Sequence, residues 1–281
     1  MNAEPPPDVA VVTGAAGLLC SVIAKDLAER GSRVALLGRS PRPLAELAEE
    51  INASGGHAIA VPTDVTDPEA VAAARQRVHD AFGPCTKLIN GAGGNQPQAV
   101  TTRTTFDPAD LDESSLDERG FFNLDLERFG SVLQTNTLGT VIPCRVFGRD
   151  LAEARGGSIL NFASMNSYRP LTRVPAYAMA KAAVVNFTQW LAVYLASAGV
   201  RVNAIAPGFF VNDRSRKILM TEDGGLSPRG EQVMSHTPLG RFGEAQDLLG
   251  CARWLLDDEA ASFVTGLTVP VDGGFVASAG V

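Results

Sequence analysis

The chain has 281 residues, 45% hydrophobic and 20% charged, enough for one large α/β domain or two small ones with a full core. Its formal net charge of −7 argues against general binding to nucleic acid or an anionic membrane surface, since both require a basic face. Cys20, Cys85, Cys144 and Cys251 are scattered without metal-ligand spacing, no long apolar run is present, and MNAEPPPD lacks the pattern of a secretory signal. The expectation is reduced thiols, no metal centre, no membrane span and a cytoplasmic protein.

In chain order, a β-branched strand over Val9–Val12 runs into Thr13-Gly14, and a helical pattern follows through Leu27 to a close at Gly31. Then come a strand at Val34–Leu37, a helix from about Leu44 to Ile51, a strand at Ala58–Val61 ending in Asp64, a helix at Pro68–Phe82 and a strand at Lys87–Asn90. The second half predicts a long helix at Leu126–Ala154 with Pro143 as its kink point, a strand at Ser158–Ala163 and a helix at Pro175–Ala198. A strand at Val200–Ala206, a helix at Ala245–Leu256 and a last strand at Thr268–Val271 complete it. Alternating strands and helices with almost continuously apolar strands imply a parallel sheet covered on both faces, the doubly wound α/β (Rossmann) fold, as a single domain over 1–281. Gly94–Asn123 and Phe209–Arg241 break the rhythm; both follow strand ends, where ligands bind in such sheets, and at least one is expected to be a substrate lid.

Three features carry chemistry. The glycine-bearing turn from Thr13 to Cys20 joins the first strand to a helix and can present backbone N–H groups and a helix N-terminus to a pyrophosphate. At the end of the second strand stands Gly38-Arg39 rather than an acidic residue, which favours NADP over NAD because a guanidinium can fork onto a 2′-phosphate. Ser164 is followed after thirteen residues by Tyr177 and four later by Lys181, which places tyrosine and lysine one turn apart on one helix face. A cation there is expected to pull the phenol below its usual pKa of about 10, so that Tyr177 exchanges a proton with a carbonyl or alcohol oxygen that Ser164 also hydrogen-bonds.

With these residues, Asn90 to Gly93, Asn136 and Pro207-Gly208, the chain resembles the short-chain dehydrogenase/reductase family from end to end. The resemblance implies cofactor contacts from Thr13, Gly14, Gly17, Leu18 and Leu19, from Gly38 and Arg39, from Asp64 and Val65, and from Asn90, Gly91 and Ala92. It also implies them from Tyr177, Lys181, Pro207, Gly208, Phe210 and Asn212. Asn136 would hold a water in a proton relay, and the protein would be a homodimer or homotetramer built on the helices at 126–154 and 175–198. The segments Gly91 to Asn95, Ser164 to Asn166, Arg169 to Arg173, Asn186 to Ala192, Pro207 to Phe210 and His236 to Gly243 resemble more narrowly the D-mannonate oxidoreductase (fructuronate reductase) branch.

That narrower resemblance implies interconversion of D-mannonate and D-fructuronate. Arg169 and Arg173, between the catalytic strand and helix, can pair with a carboxylate; Asn95, Gln96 and Asn166 can bond sugar hydroxyls, and His236 can close over the site. Another polyol, ketose or hydroxy-acid is the alternative substrate, and a non-catalytic nucleotide sensor the alternative class. Where the general family turn has glycines, this chain has Leu18 and Cys20, and a single Gly91 stands where the family has a second asparagine. A side chain at Cys20 is expected to weaken cofactor binding or to open the turn slightly.

Overall fold

The computed structural model describes residues 7–112, 118–211 and 213–279. Seven strands, β1 (Val9–Thr13), β2 (Arg33–Gly38), β3 (His57–Pro62), β4 (Lys87–Asn90), β5 (Ser158–Phe162), β6 (Arg201–Pro207) and β7 (Thr268–Val271), form one parallel sheet in the order β3-β2-β1-β4-β5-β6-β7. The order reverses between β1 and β4, which opens a crevice beyond their carboxyl ends. This is the single doubly wound fold expected.

Side chains of a strand alternate between faces, and β1 shows how the two layers follow from it. Ala10 and Val12 pack with α1 (Leu18–Glu29), α2 (Pro41–Ala53) and α8 (Leu249–Leu256), whereas Val9 and Val11 pack with α3 (Pro68–Phe82), α4 (Leu126–Ala154) and α5 (Pro175–Leu195). Short polar side chains set two of the helix starts: Asp67 accepts from Glu69 and Ala70 amides ahead of α3, and Asp125 accepts from the Arg128 amide ahead of α4. α4 runs unbroken through Pro143.

Several boundaries differ from expectation. α2 begins at Pro41, since proline is tolerated in a first turn. α5 ends at Leu195 and tightens into a 3₁₀ turn at Ala196–Ala198, closed by Gly199 at φ 73° as the chain swings into β6. The Ala245–Leu256 helix starts as a 3₁₀ turn over Ala245–Leu248. Among the described residues, the excursion after β6 holds two short helices, α6 (Asp213–Leu219) and α7 (Pro228–Ser235), while the one after β4 holds two 3₁₀ turns. A buried polar chain pins α5 to the sheet: Asn90 Nδ2 donates to Asn161 Oδ1, Asn161 Nδ2 to Thr188 Oγ1, each at 2.9 Å, and Thr188 Oγ1 to the Val184 carbonyl at 2.8 Å.

No described helix is long and apolar enough to cross a membrane. Among the described residues, no group of three or more His, Cys, Asp or Glu could hold a metal ion.

Candidate active site

The strand ends carry a long trough in two connected parts. The first, about 1120 Å³, is lined by Gly14, Gly17, Gly38, Arg39, Asp64, Val65, Gly91 and Ala92. The second, about 780 Å³, is lined by Leu18, Leu19, Ser164, Tyr177, Lys181, Pro207, Gly208 and Phe210. Gly91 and Gly93 wall both. Most residues expected at a cofactor therefore line one continuous surface, with Thr13 and Asn90 buried just behind it; Asn212 lies outside the described residues.

The turn after β1 is built for close approach. Gly14 has φ 65°, and a Cβ there would lie 2.8 Å from the Ala92 backbone. Thr13 Oγ1 accepts from the Ala92 amide at 3.2 Å, so the turn is seated on the end of β4. α1 begins at the trough, with Gly17, Leu18 and Leu19 in its lining and no side chain capping its first turn, so that a helix N-terminus is on hand for an anion. Asp64 is held below the usual carboxylate range, first by the Thr66 hydroxyl and amide bonding its Oδ1 at 2.7 and 2.9 Å, with the Arg39 charge adding to this.

At the other end, Ser164 closes β5 and meets Tyr177 and Lys181 of α5. The Ser164 hydroxyl is hydrogen-bonded to Tyr177 and accepts from the Asn166 amide at 3.2 Å. Lys181 is buried and its Nζ donates to the Phe162 carbonyl at 2.7 Å, 5.7 Å from the Tyr177 ring centroid. Burial holds the Lys181 ammonium down to about 8, opposed by the nearby Cys20 thiol. Burial also pushes the Tyr177 phenol up, while the Ser164 hydrogen bond pulls it down. The expected lowering by lysine is therefore not seen: the ammonium is spent on a carbonyl, and desolvation dominates at the phenol.

Other predicted residues fall in less direct places. Asn136 is fully buried and clamps Gly94, donating to its carbonyl at 2.7 Å and accepting from its amide at 3.1 Å. Asn166 turns inward, accepting from the Leu171 amide and donating to Ser164, so it braces the serine rather than facing a sugar. Exposed Arg169 donates to the Ser278 carbonyl of the C-terminal segment. Asn95 caps the Gln96 amide, and His236 is exposed, its Nδ1 2.9 Å from the Gln232 carbonyl and its ring 6.2 Å from Phe275. Arg173 adopts φ 76°, rare for a non-glycine, and is doubly bonded to Thr101 of the first excursion through its Nε (2.8 Å) and its carbonyl (3.0 Å).

Two residues escaped the sequence reading. Ser167 Oγ accepts from the Ser164 amide at 3.3 Å and donates to the Lys181 carbonyl at 2.7 Å, tying the serine to the lysine-bearing helix; its signal was the Ser-x-x-Ser capping pattern at 164–167. Arg229 of α7 is half-buried, and its basicity is lowered by burial and then by the Arg173 charge. Two guanidiniums, one between β5 and α5 and one in the excursion after β6, thus lie within electrostatic reach, and neither joins an ion pair among the described residues. No local pattern announces that meeting.

Comparison with known proteins agrees with this geometry. Residues 8–223 match the family model described as short chain dehydrogenase. An uncharacterized oxidoreductase of Bacillus subtilis is 44% identical over 272 residues, 97% of this chain and 96% of that protein. A Haemophilus influenzae crystal structure with bound NAD, assigned provisionally as a D-mannonate oxidoreductase, superposes with a TM-score of 0.93 at 42% identity, over 100% of this chain and 99% of that one. A Beutenbergia cavernae structure with bound NADP, assigned provisionally as an NAD(P)-dependent gluconate 5-dehydrogenase, has a TM-score of 0.80 at 32% identity over 97% and 98% of the two chains.

Proposed function

Since the chain belongs to the short chain dehydrogenase family, and is thus an oxidoreductase rather than a nucleotide sensor, we propose that it interconverts D-mannonate and D-fructuronate, or a closely similar sugar acid, with NADP as its preferred cofactor. The observation that carries the reading is the convergence of Ser164, Tyr177 and Lys181 at one end of a trough whose other end holds Arg39 and Asp64. The glycine-walled turn and the amides of α1 fit a pyrophosphate, Asp64 and Val65 fit the adenine end, and Leu18, Leu19, Pro207, Gly208 and Phe210 fit a flat ring. A bound nicotinamide would supply or accept the hydride.

The chain's own residues manage the oxygen. Ser164 Oγ donates to the substrate oxygen and polarises it, and the Tyr177 hydroxyl transfers its proton there on reduction or takes one on oxidation. Lys181, held by the Phe162 carbonyl beside the phenol, lines the same trough and would bind the nicotinamide ribose there. Asn136 holds Gly94, and with it the wall opposite Tyr177; a water against its helix would return the proton from solvent.

An anionic substrate is favoured by Arg173 and Arg229, because a carboxylate between them would relieve their repulsion. The Haemophilus neighbour's assignment points the same way. A neutral ketose or polyol is the second reading, favoured because Arg169 and Arg173 each already bond a backbone carbonyl. The preference for NADP rests on Arg39, which is exposed at the trough and in no ion pair among the described residues. Assembly as a homodimer or homotetramer is supported by the outward face of α5, where Met179, Trp190, Val193 and Tyr194 are exposed and Trp190 stacks on Tyr194 at 5.1 Å. Steady-state assays with NADPH and NADH against D-fructuronate, other sugar acids and neutral ketoses test the reading. The expected result is the highest kcat/KM for D-fructuronate with NADPH; turnover of a neutral ketose with fructuronate ignored would overturn the substrate, and a better NADH value would overturn the cofactor preference.

A further inference from the structure

We propose that Cys20 is a positioning residue for the cofactor site, its side chain filling the space above Gly91 and so locking the nucleotide turn to the glycine wall that runs on to Lys181. The proposal rests on reading the trough as a nicotinamide-dinucleotide site.

Cys20 is the third residue of α1, buried, and points into the layer between that helix and the sheet. A Cβ built on Gly91 would lie 2.0 Å from Cys20 Sγ and 3.2 Å from the Thr13 carbonyl oxygen. Non-bonded contacts of this kind settle near 3.5–4.0 Å, so a Cβ at 91 would force the Cys20 thiol out of its present rotamer, while the Cys20 Cβ at 3.6 Å and the Thr13 oxygen at 3.2 Å leave little slack. Gly91 is not among the glycines with positive φ, so its backbone conformation suits any residue. What excludes a side chain at 91 is the sulfur of Cys20. The two departures from the family pattern are thus one feature: the larger residue at 20 occupies the volume given up at 91. The Cys20 side chain, a departure from the family turn, is accommodated in the space that Gly91 leaves.

This contact sits between the two halves of the trough. Ala92 touches the turn through the Thr13 hydroxyl and would collide with a Cβ on Gly14. A Cβ on Gly93 would lie 2.5 Å from Asn136 Oδ1 and 3.4 Å from Lys181 Nζ. Any shift of Gly91 is therefore carried one way into the pyrophosphate turn and the other way into the wall facing the catalytic lysine. The thiol works through volume: burial pushes it up to about 12, so it stays neutral and is no nucleophile at ordinary pH.

The test uses full-length Gly91→Ala, Cys20→Gly and the double variant, with NADPH and NADH affinity read by fluorescence titration, cofactor KM and kcat by steady-state assay, and folding by thermal melts. Gly91→Ala alone should weaken cofactor binding by about tenfold or more, the loss falling on cofactor KM rather than on kcat at saturation. The double variant should return to within about threefold of the parent, a rescue that a general loss of stability would not produce. Normal binding by Gly91→Ala, or a double variant no better than that single one, would overturn the proposal. Should Gly91→Ala fail to fold, a folded, cofactor-binding double variant supports the pairing and a double variant that also fails overturns it. A parent enzyme that binds neither dinucleotide would overturn the cofactor reading itself.

Discussion

Lys181 shows how a single residue's burial becomes a measurable property. Its ammonium is enclosed, bonded to the Phe162 carbonyl and depressed to about 8. A lysine whose folded pKa lies below its unfolded value of about 10.4 costs stability while it is charged, and that cost fades as pH rises from the folded value to the unfolded one. Lys181→Met should therefore gain in melting temperature relative to the parent by a margin that is largest below pH 8 and shrinks steadily between pH 8 and about 10.5. A margin constant with pH would show that the ammonium is not buried as described. In activity, the parent should lose rate above about pH 8 as the charge beside Tyr177 is lost, and the pH profile of kcat checks this. For the arginine pair, Arg229→Gln should raise KM for D-fructuronate on the order of tenfold while leaving a neutral ketose unaffected. An equal change for both substrates would remove Arg229 from carboxylate recognition.

At the scale of elements, α5 is the part on which the chemistry depends, and its rotation is set two turns beyond Lys181. The Thr188 hydroxyl accepts a hydrogen bond from Asn161 Nδ2 and donates one to the Val184 carbonyl inside the core. Thr188→Val keeps the shape but leaves the Asn161 amide unpaired, which should cost about 1–3 kcal/mol in denaturant unfolding, with Thr188→Ser recovering most of it. The strands, helices and the meeting of Ser164, Tyr177 and Lys181 were legible from sequence because each rests on local periodicity or fixed spacing: Tyr177 and Lys181 share a helix face wherever the helix packs. Arg229 and Ser167 were legible poorly or not at all, because their roles depend on which loops fold back beside which helix ends. Asn166 was misjudged for a related reason, since only the geometry of the 164–167 turn shows that its amide faces Ser164 and Leu171. The Cys20 departure looked like a defect until the three-dimensional neighbour, 71 positions away, came into view.

For the whole molecule, the topology gathers the ends of β1, β4, β5 and β6 along one crevice, with Arg39 at one extreme and Tyr177 at the other. The outward aromatic face of α5 lies away from that crevice, so assembly and chemistry should separate: Trp190→Glu with Tyr194→Glu should lower the oligomer mass in light scattering while the monomer still binds NADPH. An unchanged mass would place the subunit contact elsewhere. The central claim, that this crevice passes a hydride to a sugar-acid carbonyl while Tyr177 supplies the proton, is tested most directly by isotope transfer. With NADPH deuterated at the transferable position and D-fructuronate as acceptor, the account predicts deuterium at the new alcohol carbon of D-mannonate by NMR, and a rate at least about 100-fold lower in Tyr177→Phe despite similar NADPH affinity. Absence of deuterated D-mannonate, or a Tyr177→Phe enzyme that forms it at nearly the parent rate, would contradict it.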